Sequence, residues 1–220
     1  MDKNNIVIQE LKIKYSVDFE SQRVFSMIKK IEWFNKMGYK INLPEKIKSM
    51  DLNRVGKITK KGIKKIITKE YKVQDYQKIE SIIEKKWSDV SIKLSRNLST
   101  INLKHELFYV LILTKYGTGG SYSLPNKIIL NFNKKTPYNL IRIIVHEIIH
   151  LSIQPLIEKF GIGHWTKERI VDLIMAKVMP ELAKMQNLPQ NTEKIDKLFD
   201  NFFPDIEKTI RKCTQLTVYK

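Results

Sequence analysis

Apolar positions along the chain follow two periods, and the change between them organises the sequence. Residues 6–15 partly alternate and predict a strand. Over 18–37, Phe19, Val24, Phe25, Ile28, Ile31 and Trp33 fall at near-helical spacing, with Gly38 as a stop. Ile63, Ile66 and Ile67, then Ile79, Ile82 and Ile83, give apolar faces to helices near 59–71 and 74–87. From 106 the texture changes. Residues 107–113 are continuously apolar and β-rich, as in a buried strand, and Gly117-Thr118-Gly119-Gly120 breaks the run before a second strand at 127–132. Thr136 and Pro137 then supply an N-cap and a first-position proline for a helix running to about 159 and ending near Gly161. Pro155 lies in its last turns, where a proline kinks or shortens a helix. Another helix starts near Thr166 and extends into the 180s, with Pro180 as a bend or end, and a last one covers about 193–212.

This pattern predicts an α+β fold, mostly helical, with a small antiparallel or mixed sheet packed on the helix that begins at Pro137. Residues 1–104 read as a mainly helical region and 105–220 as the core, or the two as one continuous domain.

The chemistry concentrates on that helix. His146 and His150 are four residues apart, so their side chains lie on one helical face. Two imidazoles so placed can reach one ion at the Zn–N length of about 2.0–2.1 Å. Glu147, turned by one residue from the first histidine, can contact a water on that ion and accept its proton as general base. Ile143, Ile144, Val145, Ile148, Ile149 and Leu151 frame these positions. Polar groups in so apolar a setting must be satisfied together. The bland alternative is an amphipathic helix with two surface histidines.

A catalytic zinc site needs a third protein ligand. Glu168 and Asp172 lie one turn apart on the next helix. Glu168 can ligate, while Asp172 can accept from the non-ligating nitrogen of a zinc-bound histidine. Without the histidine pair, these two would read as a solvated acidic face. His164, in Gly161-Ile162-Gly163-His164-Trp165, is the other choice and would complete a three-histidine site. The carboxylate pair favours Glu168, since it supplies a ligand and its support.

Bulk properties change this picture little. The 220 residues contain 42% hydrophobic residues, enough for a sizeable core. One cysteine, Cys213, excludes an internal disulfide and any cysteine-rich zinc framework. The N-terminal Met1-Asp2-Lys3-Asn4-Asn5 lacks the apolar stretch of a signal peptide. No window approaches about 18 uninterrupted apolar residues. A cytoplasmic protein without a membrane partner is the expectation. The net charge of +17, from 40 Lys+Arg against 23 Asp+Glu, favours a weak attraction to nucleic acid or another acidic partner. The basic residues are dispersed, however, and the Lys, Ile and Asn bias fits an AT-rich genome. The 44–104 region offers no specific helix-turn-helix signature.

His146, Glu147 and His150, followed by Glu168 and Asp172 in a Glu-x-x-x-Asp arrangement, resemble the gluzincin group of zincin metallopeptidases, the thermolysin-like type. The resemblance covers about residues 106–185. It implies a zincin-like fold, one Zn2+ ion and a peptide or protein substrate. His146, His150 and Glu168 would be ligands, Glu147 the general base and Asp172 the support of a ligating histidine. It also implies a strand edge that pairs with extended substrate, where Gly119-Gly120-Ser121-Tyr122 would lie. A His or Tyr would steady the oxyanion; His164, Tyr122 and Tyr138 are the residues available for that role. The chain departs from the family in its size and in the short gap between His150 and Glu168. The helix, Gly-His, helix order also resembles SprT-like proteases, which use three histidines and act on DNA-bound proteins.

Overall fold

The structure is a computed structural model that describes residues 7, 8, 10–50 and 58–216. Four strands, β1 (Glu10–Lys14), β2 (Phe108–Thr114), β3 (Gly120–Ser123) and β4 (Lys127–Asn131), form one mixed sheet in the order β1-β2-β4-β3. β1 and β4 flank β2 in parallel, and β3 pairs antiparallel with β4 at the sheet edge. The expected α+β class with a small mixed sheet is therefore observed. Ile6 and Gln9 of the predicted first strand lie outside the described residues.

Helices α1 (Val17–Lys29), α2 (Ile31–Lys36), α3 (Glu45–Lys48), α4 (Lys60–Glu70) and α5 (Val73–Thr100) precede β2. After β4 come α6 (Pro137–Lys159), α7 (His164–Val178), a 3-10 turn at Pro180–Leu182, α8 (Glu193–Phe202) and α9 (Ile206–Cys213). Local chemistry sets several starts. Ser16 accepts from Phe19 N at 3.1 Å, Thr59 from Gly62 N at 3.1 Å and Thr136 from Asn139 N at 3.3 Å, each filling an orphan donor of a first turn. α6 continues through Pro155 to Lys159, so the proline does not shorten it. The helix predicted over 18–37 is two helices that meet at Lys30, and the one predicted over 193–212 is two that part around Pro204. α5 runs 13 residues past the predicted end at 87.

α6 is the centre of the main core. Thirteen of its residues are buried, and it packs on β3, β4, α5 and α7. It is long and apolar enough to cross a membrane, but 72% of its apolar window is buried inside the fold, as expected of a core helix. The main core takes Ile8, Tyr76, Ile83, Trp87, Leu94 and Leu98 from before residue 104 and joins them to the sheet and to α6–α9. A second cluster joins α1 to α4 around Val24, Met27, Ile63 and Ile67, and Tyr116 packs into it. Gly38 (φ +71°) ends the first helical segment, and a two-residue bridge ties Asn42 to Gly117. The residues around Tyr39 are thereby held beside the sheet edge.

Candidate metal centre

α6 and α7 bring three buried ligand-type side chains together. His146, His150 and Glu168 offer donor atoms that all lie within 4.8 Å of one another, a group able to hold a metal ion. The two Nε2 atoms are 3.1 Å apart, and each is 3.4 Å from Glu168 Oε2. Three donors converging on one point from two rigid helices form a closed triangle of two nitrogens and one oxygen, a donor set borderline cations favour.

The support around the triangle is specific. Asp172 Oδ1 lies 3.8 Å from His146 Nδ1, the nitrogen facing away from Glu168. Gln186, in the segment after the 3-10 turn, donates its backbone N–H to Asp172 Oδ2 at 2.7 Å. Its side-chain nitrogen donates to Asp172 Oδ1 at 3.3 Å and Glu168 Oε2 at 3.2 Å. One residue thus clamps both carboxylates. The Nδ1 atoms of both histidines are buried without a hydrogen-bond partner among the described residues.

Electrostatics follow from burial. Glu168 is held well below the usual carboxylate range: burial opposes this, but hydrogen bonds and charge from His146 and His150 outweigh it. Glu147 is pushed up to about 7, mainly by burial and also by Glu168, against the pull of His146, Lys167 and Arg23. His150 is pushed down to about 4 by burial, against its bond to Glu168. His146 goes the other way. Burial would lower it, but the Glu168 bond and the charges of Glu147, Glu168 and Asp172 prevail.

Glu147 lies beside the triangle, under the edge strand. A Cβ built on Gly120 would collide with Glu147 Oε1 and stand 2.9 Å from its Cδ and 2.7 Å from Ile143 Cγ2. Only glycine lets β3 cross the carboxylate this closely. Because β3 is the last strand of the sheet, its outer edge has no strand partner among the described residues.

The other predicted residues are placed as follows. Tyr122 stacks its ring on His150, with centroids 4.8 Å apart and planes at 14°. Its hydroxyl donates to Gln154 Oε1 at 2.6 Å and accepts from Lys167 Nζ at 3.1 Å, so its proton is already committed. His164 does not join the triangle. Its Nδ1 is 3.9 Å from Glu168 Oε1, and its Nε2 pairs with the Tyr39 hydroxyl at 2.7 Å. Burial holds His164 below the usual histidine range, against the Glu168 charge. Burial, with Glu168 and Glu147, keeps the Tyr39 hydroxyl protonated. Tyr138 bonds the Glu181 carbonyl at 3.1 Å, away from the cleft.

No family model, curated protein or solved structure matches this chain.

Three contributors escaped the sequence reading. Gln186 sits in a stretch without periodicity. Tyr39 reaches the site from 125 residues before His164. Arg23, buried on α1, donates from Nη1 to Ser121 Oγ at 2.9 Å and from Nη2 to Thr118 Oγ1 at 3.4 Å. The signal for Arg23 was a lone arginine between apolar residues of a helical face. Together these side chains line a cleft of about 760 Å3 floored by the triangle and Glu147.

Proposed function

We propose that the protein is a zinc-dependent metallopeptidase of zincin type that hydrolyses peptide bonds. One observation carries this reading: a buried His146–His150–Glu168 triangle with a separate carboxylate, Glu147, beside it beneath an unpaired strand edge. The residues fit the ion. Two imidazoles and one carboxylate are the ligand set of a catalytic zinc that keeps a position open. When bound, zinc polarises a carbonyl and makes water acidic enough to be deprotonated near neutral pH.

The chain's own residues supply the rest. Glu147, its proton affinity raised toward neutrality, takes a proton from attacking water at a carboxylate oxygen and returns it to the leaving nitrogen. Asp172, fixed by Gln186, faces His146 Nδ1 and favours the tautomer that leaves Nε2 free to ligate. Tyr122 walls the ring of His150. Where Tyr39 donates to His164 Nε2, the ring proton sits on Nδ1 on the Glu168 side, and that N–H can stabilise developing oxyanion charge. The free edge of β3 can hold an extended polypeptide by backbone pairing.

The test is elemental analysis of metal-replete protein together with peptide cleavage, in wild type and Glu147→Gln. One zinc per chain in both, with turnover in the wild type alone, is expected. Protein that takes up no zinc would remove the proposal; bound zinc without cleavage of any peptide would remove its catalytic half.

A further inference from the structure

Outside the metal triangle and Glu147, the described residues that line the cleft carry charge of one sign only. Lys30, Lys40, Lys135, Arg142 and Lys184 line it, with Arg23 and Lys167 deeper in. Among the described residues its only acidic lining residues are Glu147 and Glu168, both at the metal centre. The seven-to-two ratio far exceeds the chain's 40 to 23, so general lysine richness does not account for it.

The five outer cations come from three separate stretches: 30–40, 135–142 and the segment after Leu182. None of the five makes an ion pair among the described residues, whereas Lys93, Lys115 and Lys159 elsewhere pair with Glu181, Asp75 and Glu207. Arg142 stands one turn before His146 on α6, on the site face, and its buried Nε has no hydrogen-bond partner among the described residues. An arginine fork with a free donor is suited to a carboxylate. Unpaired like charges held close together repel one another and are relieved by a ligand of opposite sign.

We infer that the cleft recognises a polypeptide segment carrying Asp or Glu on both sides of the bond to be cut. The inference rests on the peptidase reading and adds its substrate class. The edge of β3 takes the backbone, while the lysines that line the cleft take the flanking carboxylates. A cavity of about 760 Å3 suits a short extended segment rather than a duplex.

Two measurements test it. Zinc-loaded wild type is incubated with a diverse peptide library and the cut sites are read by mass spectrometry. Asp and Glu enriched about tenfold within three residues of the cut are expected. Cutting without acidic enrichment overturns the inference while leaving the peptidase reading intact. Separately, Glu147→Gln protein, with and without zinc, is titrated with a fluorescent Glu-rich peptide, a neutral peptide and a single-stranded DNA oligonucleotide. The acidic peptide should bind at least tenfold tighter than the neutral one. Adding Lys40→Glu and Lys135→Glu should abolish that difference. Acidic-peptide binding without any library cleavage would support the recognition and remove the peptidase reading. DNA binding tighter than the acidic peptide, or indifference to both charge reversals, overturns the inference.

Discussion

Gly120→Ala probes the link between the sheet edge and the chemistry with one methyl group. That methyl would meet the Glu147 carboxylate, with Cδ at 2.9 Å and Ile143 Cγ2 at 2.7 Å. Carbon atoms pack best at about 3.5–4.0 Å, so each neighbour must retreat by about 1 Å. Ile143 Cγ2 is fixed to its own Cβ, whereas the Glu147 carboxylate is the far end of a flexible side chain, so Glu147 takes much of the movement. Overpacking of this kind costs about 1–3 kcal/mol. For a chain of this size, that lowers Tm by about 2–4 °C per kcal/mol. If Glu147 is the base, as proposed, displacing it by about 1 Å should cost about a hundredfold in turnover, or roughly 2.7 kcal/mol of barrier. Zinc content should stay at one per chain, because the proposed ligand set is His146, His150 and Glu168 and leaves Glu147 outside it. Gly119→Ala is the control. Its Cβ would meet only Ile143 Cδ1, at 3.9 Å, and the variant should behave as wild type. Steady-state kinetics on one peptide, zinc analysis and thermal melts of the three proteins decide the matter. Full activity in Gly120→Ala would refute the close crossing of β3 over Glu147, and loss of zinc would refute the assignment of Glu147 outside the ligand set.

Three further outcomes follow from named contacts. Asp172→Asn weakens the acceptor facing His146 Nδ1 and should reduce zinc affinity about 10–100-fold in chelator competition; unchanged affinity would show that Asp172 does not act on the ligand. Tyr39→Phe frees the tautomer of His164 and should lower kcat about tenfold or more, shift its pH profile and leave zinc content intact; an unaltered profile would release His164 from any role in turnover. Glu20 is fully buried, accepts from Tyr76 and Lys115 N, and is pushed up to about 7, mainly by burial. Its folded-state value lies above the unfolded one, so its stability contribution is full below about pH 4.5 and is lost as pH rises to about 7. That change amounts to roughly 3 kcal/mol. Glu20→Gln should remove this part of the fall in Tm between pH 5 and 7.5, and an identical slope in the variant would exclude Glu20 as its source.

Much of the fold follows from local signals. Thr136 and Pro137 open α6 where capping chemistry requires, and the 107–113 run becomes the central strand β2, as a doubly covered strand should. The misses have equally local causes. Lys30 interrupts the first helix although no proline or glycine is present; the turn closes through Lys30 N to Met27 O, which apolar spacing does not record. Pro204 did carry a signal, since the residue before a proline avoids helix and Asp205 can cap a new one, as it does for Lys208 N. In α5 the period continues through Trp87, Ser91, Leu94, Ser95 and Leu98, and two serines on the buried face concealed it. β3 has no alternation at all and exists because β4 pairs with it.

The site divides along the same line, between short and long sequence separation. His146, Glu147 and His150 were legible because a helix converts a spacing of four into one face, and Glu168 with Asp172 because it does so again one helix later. Neither spacing says which way the two helices face. That is fixed by α7 packing on α6, with Ile170, Val171 and Ile174 buried in the main core beside Val145, Ile148 and Ile149. The walls of the cleft have no local spacing to betray them. Arg23 and Ser121 are 98 residues apart, and Tyr39 and His164 are 125 apart. Such pairs are joined by the second hydrophobic cluster and by the Asn42–Gly117 bridge. Gly117 shows how strictly that junction is built. Its φ is +93°, and a Cβ there would stand 2.5 Å from Arg23 Nε, so both backbone and space demand glycine. The residues that would hold a metal thus belong to two neighbouring helices, while those that would select a substrate depend on the N-terminal helices docking correctly. Substitutions in the α1–α4 cluster should therefore alter substrate binding before they alter zinc content.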